Sequence, residues 1–328
     1  CAAGAVSAQT VWDPHLVNPV LGPGDPGEWD DGGRIIEDVV LVGGTYHLYF
    51  EGFRTQNPEV NHGRGHATST DGVEWTMDPA NPVLSHGDPG EWDACFSNPA
   101  VAVVHDGTQF HMWYGGATSW TDPSTLRGGY ATSPDGSVWT KYAGNPVLEV
   151  GLPGKWDDYY VAPGSAIFDG GVFRLWFNGH NGSFDQIGYA ESLDGITWDK
   201  YLDNPVLRSG AAGPWDAWVF SPSVVLEGSV YHMLYAGYDR SGGDWMIGYA
   251  FSSDGIHWWR STDNPVISDP GIDIVGGLPV AFDGLTWHGW YNENRTGLGI
   301  YVTSTCCAGV FGDGFETGDT SAWSTMVP

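Results

Sequence analysis

A tetrapeptide that recurs along the whole chain strongly limits the folds open to it. Asn-Pro-Val-Leu begins at Asn18, Asn81, Asn145 and Asn204, and the variant Asn-Pro-Val-Ile begins at Asn264, with intervals of 63, 64, 59 and 60 residues. Self-similarity at a fixed period indicates a repeat architecture in which each unit packs against its neighbours. The sequence therefore predicts five structural units of about sixty residues each.

The first four units each contain four short stretches typical of antiparallel strands. The first two are joined by a tight turn such as Asp106-Gly107, and the second is aromatic and alternating, as in residues 110–114. A third stretch leads through Asp135-Gly136 into a fourth that carries Trp139. Asp-Gly between apolar runs is a hairpin signal. Four antiparallel strands per unit predict an all-β fold, a five-bladed β-propeller.

The fifth unit lacks a fourth strand after residues 299–303, and an exposed sheet edge needs a cover. Val11-Trp12 precedes Asn18 by the spacing with which Glu74-Trp75 precedes Asn81. We therefore expect the N-terminal strand to close blade five. The predicted propeller spans residues 10–305, between a signal-like or linker segment at 1–9 and a C-terminal tail at 306–328.

The charge of the chain excludes some partners. Lys and Arg total 12 against 40 Asp and Glu, a formal net charge of -28. Such a chain repels nucleic-acid phosphates and anionic membrane surfaces, so neither is predicted as a partner. No stretch approaches the roughly twenty apolar residues of a membrane span, so no span is predicted.

The first residues suggest export. The small residues around Ser7 resemble the end of a secretory signal, and lipid-modified Cys1 of a bacterial lipoprotein is an alternative. Either interpretation predicts a secreted or extracellular, bacterial protein.

Two repeated features are expected to build blades. A Trp-Asp pair occurs in four units, and a residue type found in every blade more often serves the fold than a ligand. We expect its Trp to pack between blades and its Asp to cap turn amides. Histidines recur on the second strand, where five-fold rotation would hold them apart, so packing is favoured over metal binding. The pairs begin at Trp29, Trp92, Trp156 and Trp215, and the histidines are His47, His111 and His232.

These motifs, together with Met-Trp-Tyr-Gly-Gly and Gly-Tyr-Ala-Thr-Ser, resemble those of the five-bladed propeller glycosidases and glycoside phosphorylases, the arabinanase, β-xylosidase and β-mannoside phosphorylase group. The similarity covers about residues 10–305. In the arabinanase-like members, the first three inner strands each supply an acidic residue. The corresponding pairs here are Glu37-Asp38, Asn98-Pro99 and Ala162-Pro163. Only the first keeps a carboxylate, so the resemblance does not carry over an arabinanase-type mechanism.

Other carboxylates and aromatic residues stand near the ends of the inner or middle strands. If the chain is an enzyme, its catalytic candidates are Glu37, Asp38, Glu51, Asp158, Asp239 and Glu293. The candidates for binding a glycan are Arg54, Tyr159, Tyr160, Trp218, Arg240 and Arg295. Aromatic rings stack on sugars, and charges hold hydroxyl groups. A solvated acidic rim is the alternative interpretation.

The cysteines and the tail bear on assembly. Cys306 and Cys307 are neighbours and are expected to have different disulfide partners, Cys1 for one and Cys95, within the chain or in a neighbouring molecule, for the other. No cofactor is predicted, apart from a weak calcium interpretation of tail carboxylates. These are Asp313, Glu316 and Asp319.

The function predicted from these observations is structural. We expect a non-catalytic secreted propeller that assembles with copies of itself, through termini and cysteines, into an extracellular filament or surface layer. The alternative is a glycan-binding protein, or a glycoside hydrolase or phosphorylase acting on extracellular polysaccharide.

Overall fold

The computed structural model describes residues 12–55, 62–210, 214–239, 243, 245–268, 277–293 and 298–304. Its strands form five antiparallel sheets arranged as a five-bladed propeller, which confirms the predicted fold. No helix in these ranges is long and apolar enough to cross a membrane.

The blades follow one another along the chain, and each begins with its inner strand. The N-terminal strand is β1 (Asp13–Pro14). Blade 1 contains β2 (Gly33–Val42), β3 (Thr45–Phe53), β4 (His62–Ser69), β5 (Thr76–Met77) and β6 (Leu84–Ser85). Blade 2 contains β7 (Cys95–His105), β8 (Phe110–Ala117), β9 (Arg127–Ser133) and β10 (Thr140–Lys141). Blade 3 contains β11 (Tyr160–Asp169), β12 (Val172–His180), β13 (Asp185–Ser192) and β14 (Asp199–Lys200). Blade 4 contains β15 (Trp218–Glu227), β16 (Val230–Tyr238), β17 (Trp245–Ser252) and β18 (Trp259–Arg260). Blade 5 contains β19 (Val280–Phe282), β20 (Trp287–Glu293) and β21 (Leu298–Ser304). Short 3₁₀ helices lie at Pro123–Thr125 and Pro214–Asp216.

Blade 5 is completed by the start of the chain, as predicted. Strand β1 pairs antiparallel with β21, with Asp13 opposite Thr303 and Pro14 opposite Val302. The indole of Trp290 in blade 5 also donates to the Gly72 carbonyl of blade 1 at 2.9 Å. The ring is therefore closed both by strand pairing and by a contact between blades.

The Asn-Pro motif is explained by its asparagine. Asn81 Oδ1 accepts from the amide of His66 at 2.8 Å, and Asn81 Nδ2 donates to the His66 carbonyl at 2.9 Å. The side-chain amide thereby replaces a peptide group beside the third strand. The same bracket recurs in the other blades, in the pairs Asn145–Tyr130, Asn204–Tyr189, Asn264–Tyr249 and Asn18–Tyr301.

The Trp-Asp pair also builds blades, although not in the expected way. Trp92 packs over its own blade, where a Cβ on Gly116 or Gly129 would lie 2.7 or 2.5 Å from the indole. Its neighbour Asp93 is buried and lies 2.6 Å from Lys141 Nζ on the fourth strand. The pair therefore holds the strands of one blade together through glycine contacts and an ion pair.

The second-strand histidines are packed against the third strand, in agreement with the predicted packing role. His111 Nδ1 lies 2.6 Å from the Tyr130 hydroxyl in blade 2. Equivalent pairs are His232–Tyr249 and His288–Tyr301. Blade 1 differs, because His66 replaces the tyrosine and its Nε2 lies 3.0 Å from His47 Nδ1.

Candidate functional site

The inner strands surround a channel that changes width along its length. Beside Glu37, Asp38, Ser221 and Pro222 it narrows to a cavity of about 10 Å³, with room for about one water molecule. Further along, from Asp38 to Leu41, the inner strands of all five blades line a wider cavity of about 380 Å³. We call the end of the propeller where β2, β7, β11 and β15 begin the upper face.

A buried ion pair lies at the boundary between blades 1 and 2. Glu37 Oε2 accepts a hydrogen bond from Arg64 Nη1, and both side chains are buried. Glu37 Oε1 accepts from the Ala100 amide at 3.3 Å, and the Arg64 guanidinium lies 4.5 Å from the centre of the Phe96 ring. Burial raises the pKa of Glu37, and Arg64 offsets part of the rise.

A second buried carboxylate adjoins this pair. Glu51 lies opposite Arg64 in the β3–β4 register and is fully buried. One of its oxygens hydrogen-bonds His62 Nδ1, and the other has no hydrogen-bond partner among the described residues. The His62 ring lies 4.4 Å from that of Trp120, which is 38% exposed. We call Glu37, Glu51, His62 and Arg64 the blade 1 cluster; Trp120 covers it from blade 2.

The other blades do not carry these groups. The position equivalent to Glu51 on the second strand holds Gly115, Asn178, Ala236 and Asn292 in blades 2 to 5. The position of Arg64, two residues before the bracketed residue of the third strand, holds Gly128, Ile187, Ile247 and Gly299. The fold therefore forms without charged side chains at these positions.

The blade 1 cluster is suited to holding a proton. Two carboxylates and one guanidinium leave an excess negative charge in a buried place, which is costly. Burial, with a smaller contribution from the nearby Glu51, raises the pKa of Glu37 to about 8 although Arg64 opposes the shift, so we expect Glu37 to hold a proton. A group that holds a proton near neutral pH is suited to general acid catalysis.

Asp38 lies beside the cluster, but its contacts are those of a structural residue. Its oxygens accept from the amides of Val39 at 2.8 Å and Val103 at 2.7 Å. Ser165 forms the equivalent bond to the Val224 amide of the next blade, as Ser223 does to Val280. Burial raises the pKa of Asp38 to about 7. Asp38 thus joins the inner strands of blades 1 and 2.

Another buried carboxyl lies on the upper face in blade 3. Asp185 is 8% exposed and accepts a hydrogen bond from the Tyr160 hydroxyl. Burial raises the pKa of Asp185 to about 6. The Tyr160 ring stacks on that of His180 at 4.9 Å, and the exposed Tyr159 lies 5.6 Å from His180.

The remaining predicted residues are scattered. Arg54 is exposed, and Nη2 lies 3.5 Å from the Gly27 carbonyl. Asp158 accepts from the Gly154 amide at 2.6 Å, and the Asp239 carbonyl accepts from Gly243. Trp218 stacks on Tyr238 at 5.3 Å. None of these contacts joins the blade 1 cluster.

For several other predicted residues, the residue, its side chain or its expected partner lies outside the described part of the chain. Cys95 is a buried free thiol that donates to the Ala117 carbonyl at 3.3 Å, and its disulfide stays a prediction. Glu293 ends β20, but its side chain is outside the described part. In the described ranges, no group of three or more His, Cys, Asp or Glu could hold a metal ion. The residues that lie wholly outside the described ranges are Cys1, Arg240, Arg295, Cys306, Cys307, Asp313, Glu316 and Asp319.

The sequence predictions missed the partners of the carboxylates. His62, Arg64 and Asp185 stand at third-strand positions where other blades have uncharged residues, such as Leu126 or Ile187. Aligning the five units and searching for charged departures from the repeat would have found them.

Comparison with known proteins agrees with this fold. Residues 36–157 match the model of the glycosyl hydrolases family 32 N-terminal domain. The chain is 31% identical over 235 residues to the uncharacterized protein MT1551 of Mycobacterium tuberculosis (strain CDC 1551 / Oshkosh), covering 68% of this chain and 74% of that protein. The chain belongs to the family of MT1551.

Two further matches are to proteins with described activities. A 1,2-beta-oligomannan phosphorylase of Thermoanaerobacter sp. (strain X514) is 29% identical over 137 residues, 39% of this chain and 45% of that protein. A solved structure superposes on this chain with a TM-score of 0.70. Its description says that the GH130 family of mannoside phosphorylases contains glycoside hydrolases that target beta-1,2 mannosidic linkages in Candida mannan. This structure is 17% identical and covers 92% of this chain and 95% of that one, so it supports the fold.

These comparisons confirm the resemblance inferred from the sequence and correct the predicted function. The prediction of a non-catalytic, filament-forming structural protein is wrong, because the relatives of described activity are glycoside hydrolases or phosphorylases. The expectation that the chain is not an enzyme is wrong for the same reason. The recurrent motifs build the blades and do not indicate the chemistry of a single blade, so they could not predict the function.

Proposed function

We propose that the chain cleaves glycosidic bonds, as a glycoside hydrolase or glycoside phosphorylase, at the mouth of the channel beside the blade 1 cluster. The single observation that carries this proposal is that blade 1 buries Glu37, Glu51 and Arg64 where the fold does not require charge. Buried charges cost stability unless they are paired, and they concentrate at functional sites.

The cluster contains the groups that the reaction requires. Cleavage breaks the bond between the sugar C1 and the leaving oxygen, and the leaving oxygen takes up a proton. The proton that Glu37 holds because burial raises its pKa can supply that need. In hydrolysis a water oxygen bonds to C1 and the proton lost by that water restores the proton given to the leaving oxygen; in phosphorolysis an oxygen of hydrogen phosphate bonds to C1, the phosphate proton restores the acid, and the product is a sugar 1-phosphate. Arg64 is the buried cation that would balance an anionic acceptor.

The proposed substrate is a β-linked mannoside. The oligomannan phosphorylase relative and the mannoside-directed structural neighbour support this choice. The neutral glycan also suits a chain with a net charge of -28, which would repel a polyanionic one.

The test is an assay with β-1,2-linked manno-oligosaccharides of two to five residues, with and without inorganic phosphate. Mannose released in both conditions indicates hydrolysis, and mannose 1-phosphate formed only with phosphate indicates phosphorolysis. The matched control is Glu51→Asn, which places in blade 1 the residue that blades 3 and 5 use at this position. Turnover that survives this substitution would remove the cluster from the reaction. If a broad panel of other glycans is also left intact, the proposed activity fails.

A further inference from the structure

Aromatic ring pairs line the upper face on blades 3 and 4. In blades 1 to 4, the first residue of the inner strand lies opposite the last residue of the second strand. In blades 3 and 4 these pairs are stacked rings, with centres 4.9 Å apart at 12° and 5.3 Å apart at 23°. In blades 1 and 2 the same positions hold Gly33–Phe53 and Cys95–Ala117. The stacked pairs are Tyr160–His180 and Trp218–Tyr238.

The two ring pairs form one surface. Trp218 Nε1 of blade 4 donates to the Ser183 carbonyl of blade 3 at 3.0 Å, which fixes the indole against the β12–β13 loop. Exposed rings flank this contact, since Tyr159 is 36% and Phe184 42% exposed. Rings held by neighbours lose little conformational entropy when a ligand stacks on them.

A polar group lies within this surface. Asp185 follows Phe184 directly, and its carboxyl group accepts a hydrogen bond from the Tyr160 hydroxyl. A carboxylate and a phenol among aromatic rings are the groups that hold a sugar, because the rings contact its C–H face and the polar groups bind its hydroxyls. A peptide or nucleotide site would need other partners.

The position of the surface suggests its role. In a ring of five blades, blade 1 adjoins blades 2 and 5, so blades 3 and 4 lie across the channel mouth. We propose that this surface is a distal sugar-binding subsite, which holds a unit of the glycan remote from the bond that is cleaved beside blade 1. The location of the cleaved bond rests on the proposed function; the ring surface does not.

The test compares Trp218→Leu and Tyr159→Ala with the wild-type chain on β-1,2-linked manno-oligosaccharides of two to five residues. Trp259→Leu is the control, because Trp259 is 40% exposed on the outer strand β18. We expect KM for the longer oligosaccharides to rise about fivefold to tenfold in both subsite variants with kcat unchanged, and the disaccharide to be unaffected. Tyr159 is exposed, so its removal does not threaten the fold.

Each outcome decides the inference. Equal loss on all lengths, or no loss on any, overturns the distal subsite. If no oligosaccharide is turned over, isothermal titration calorimetry with the same compounds separates the two proposals. Length-dependent binding that Trp218→Leu and Tyr159→Ala weaken leaves the subsite standing while the activity fails. Absence of binding by the wild-type chain overturns the subsite as well.

Discussion

Glu51 and Asn178 occupy the same position on the second strand of blades 1 and 3, but they bind different partners. Asn178 Oδ1 accepts from the Ser221 amide of the next blade at 2.8 Å. Asn292 of blade 5 brackets both backbone groups of Ile36 in the same way. Glu51 instead binds His62 on its own blade. At this position, blades 3 and 5 therefore make a hydrogen bond to the next blade, whereas blade 1 carries an acidic group that binds within its own blade.

The replacement predicts the result of Glu51→Asn. We expect kcat/KM to fall by about a hundredfold to ten-thousandfold, because general acid–base groups contribute rates of that size. The free energy of unfolding should change little, since blades 3 and 5 bury an asparagine at the equivalent position. Steady-state kinetics and urea unfolding measure the two effects.

Glu149→Asn is the control for this substitution, because the Glu149 side chain is 62% exposed. It should leave the kinetics and the stability close to those of the wild-type chain. A Glu51→Asn chain that keeps its activity but loses several kcal/mol would show that the blade 1 cluster is structural.

The contact of Asp38 predicts a different outcome for Asp38→Ser. Serine holds the equivalent position in blades 3 and 4 and can keep the bond to the Val103 amide. We expect activity within about threefold of wild type, because only a joint between blades is altered. Asp38→Ala, which removes that bond, should cost about 1–2 kcal/mol at pH 5, where the wild-type carboxyl is protonated. A large loss of kcat in Asp38→Ser would assign Asp38 to the catalytic groups.

Stability should also change with pH through Asp38. Its pKa rises from 3.8 in the unfolded chain to about 7 in the folded protein, so the folded state prefers the protonated carboxyl. Its unfavourable contribution therefore grows as the pH rises from about 4 to about 7. Relative to wild type, Asp38→Ser should gain about 1–3 kcal/mol between pH 5 and pH 8. Urea unfolding at both pH values checks the sign.

The fold was predictable because its determinants repeat. Asn81 and its four counterparts make the same pair of hydrogen bonds to the backbone of the third strand. The same contact is therefore encoded five times in the sequence. The closure by β1 followed from the spacing of Trp12 and Asn18 alone. Repetition made both inferences robust to the degeneracy of single units.

The site was only partly predictable, because its residues occur once. Glu37 and Glu51 were found as carboxylates, but their pairing with Arg64 and His62 depends on strand register, which composition does not reveal. Asp185 was not among the sequence candidates, because its burial and its bond to Tyr160 depend on how β11 and β13 lie against β12. The distinctive chemistry lies where one blade departs from the others.

The ion pair of the Trp-Asp motif predicts a stability effect without an activity effect. Lys141→Met leaves the buried Asp93 carboxylate without its cation, and removing one partner of a buried pair costs about 3 kcal/mol. Arg174→Met removes contacts with the half-exposed Glu191 and Asp169, and such surface pairs are worth about 0–1 kcal/mol. Guanidinium unfolding of both variants makes the comparison. If both variants lose the same free energy of unfolding, the Lys141–Asp93 pair stabilises the fold no more than a surface ion pair does.

The histidine pair of blade 1 predicts that the protein loses stability in acid. His47 and His66 stack at 5.2 Å, and His66 Nδ1 lies 3.0 Å from Asp78 Oδ2. Burial, with smaller contributions from His66 and His105, lowers the pKa of His47 to about 4. Burial also lowers that of His66, although Asp78 and Asp135 oppose the shift. Because the unfolded chain binds more protons below pH 6.5, stability should fall as the pH drops from about 6.5 towards 4.

His66→Tyr tests this effect, since tyrosine is the residue that other blades place against their second-strand histidine, as in His111–Tyr130. The variant should lose less stability than wild type between pH 7 and pH 4.5, by on the order of 1 kcal/mol after allowing for the partial exposure of His47. His257→Gln is the matched control, because the His257 side chain is 68% exposed and its removal should leave the pH dependence unchanged. If His66→Tyr has the same acid slope as wild type, the sensitivity arises elsewhere, and the other buried histidine with a pKa lowered to about 4, His232, becomes the next group to change.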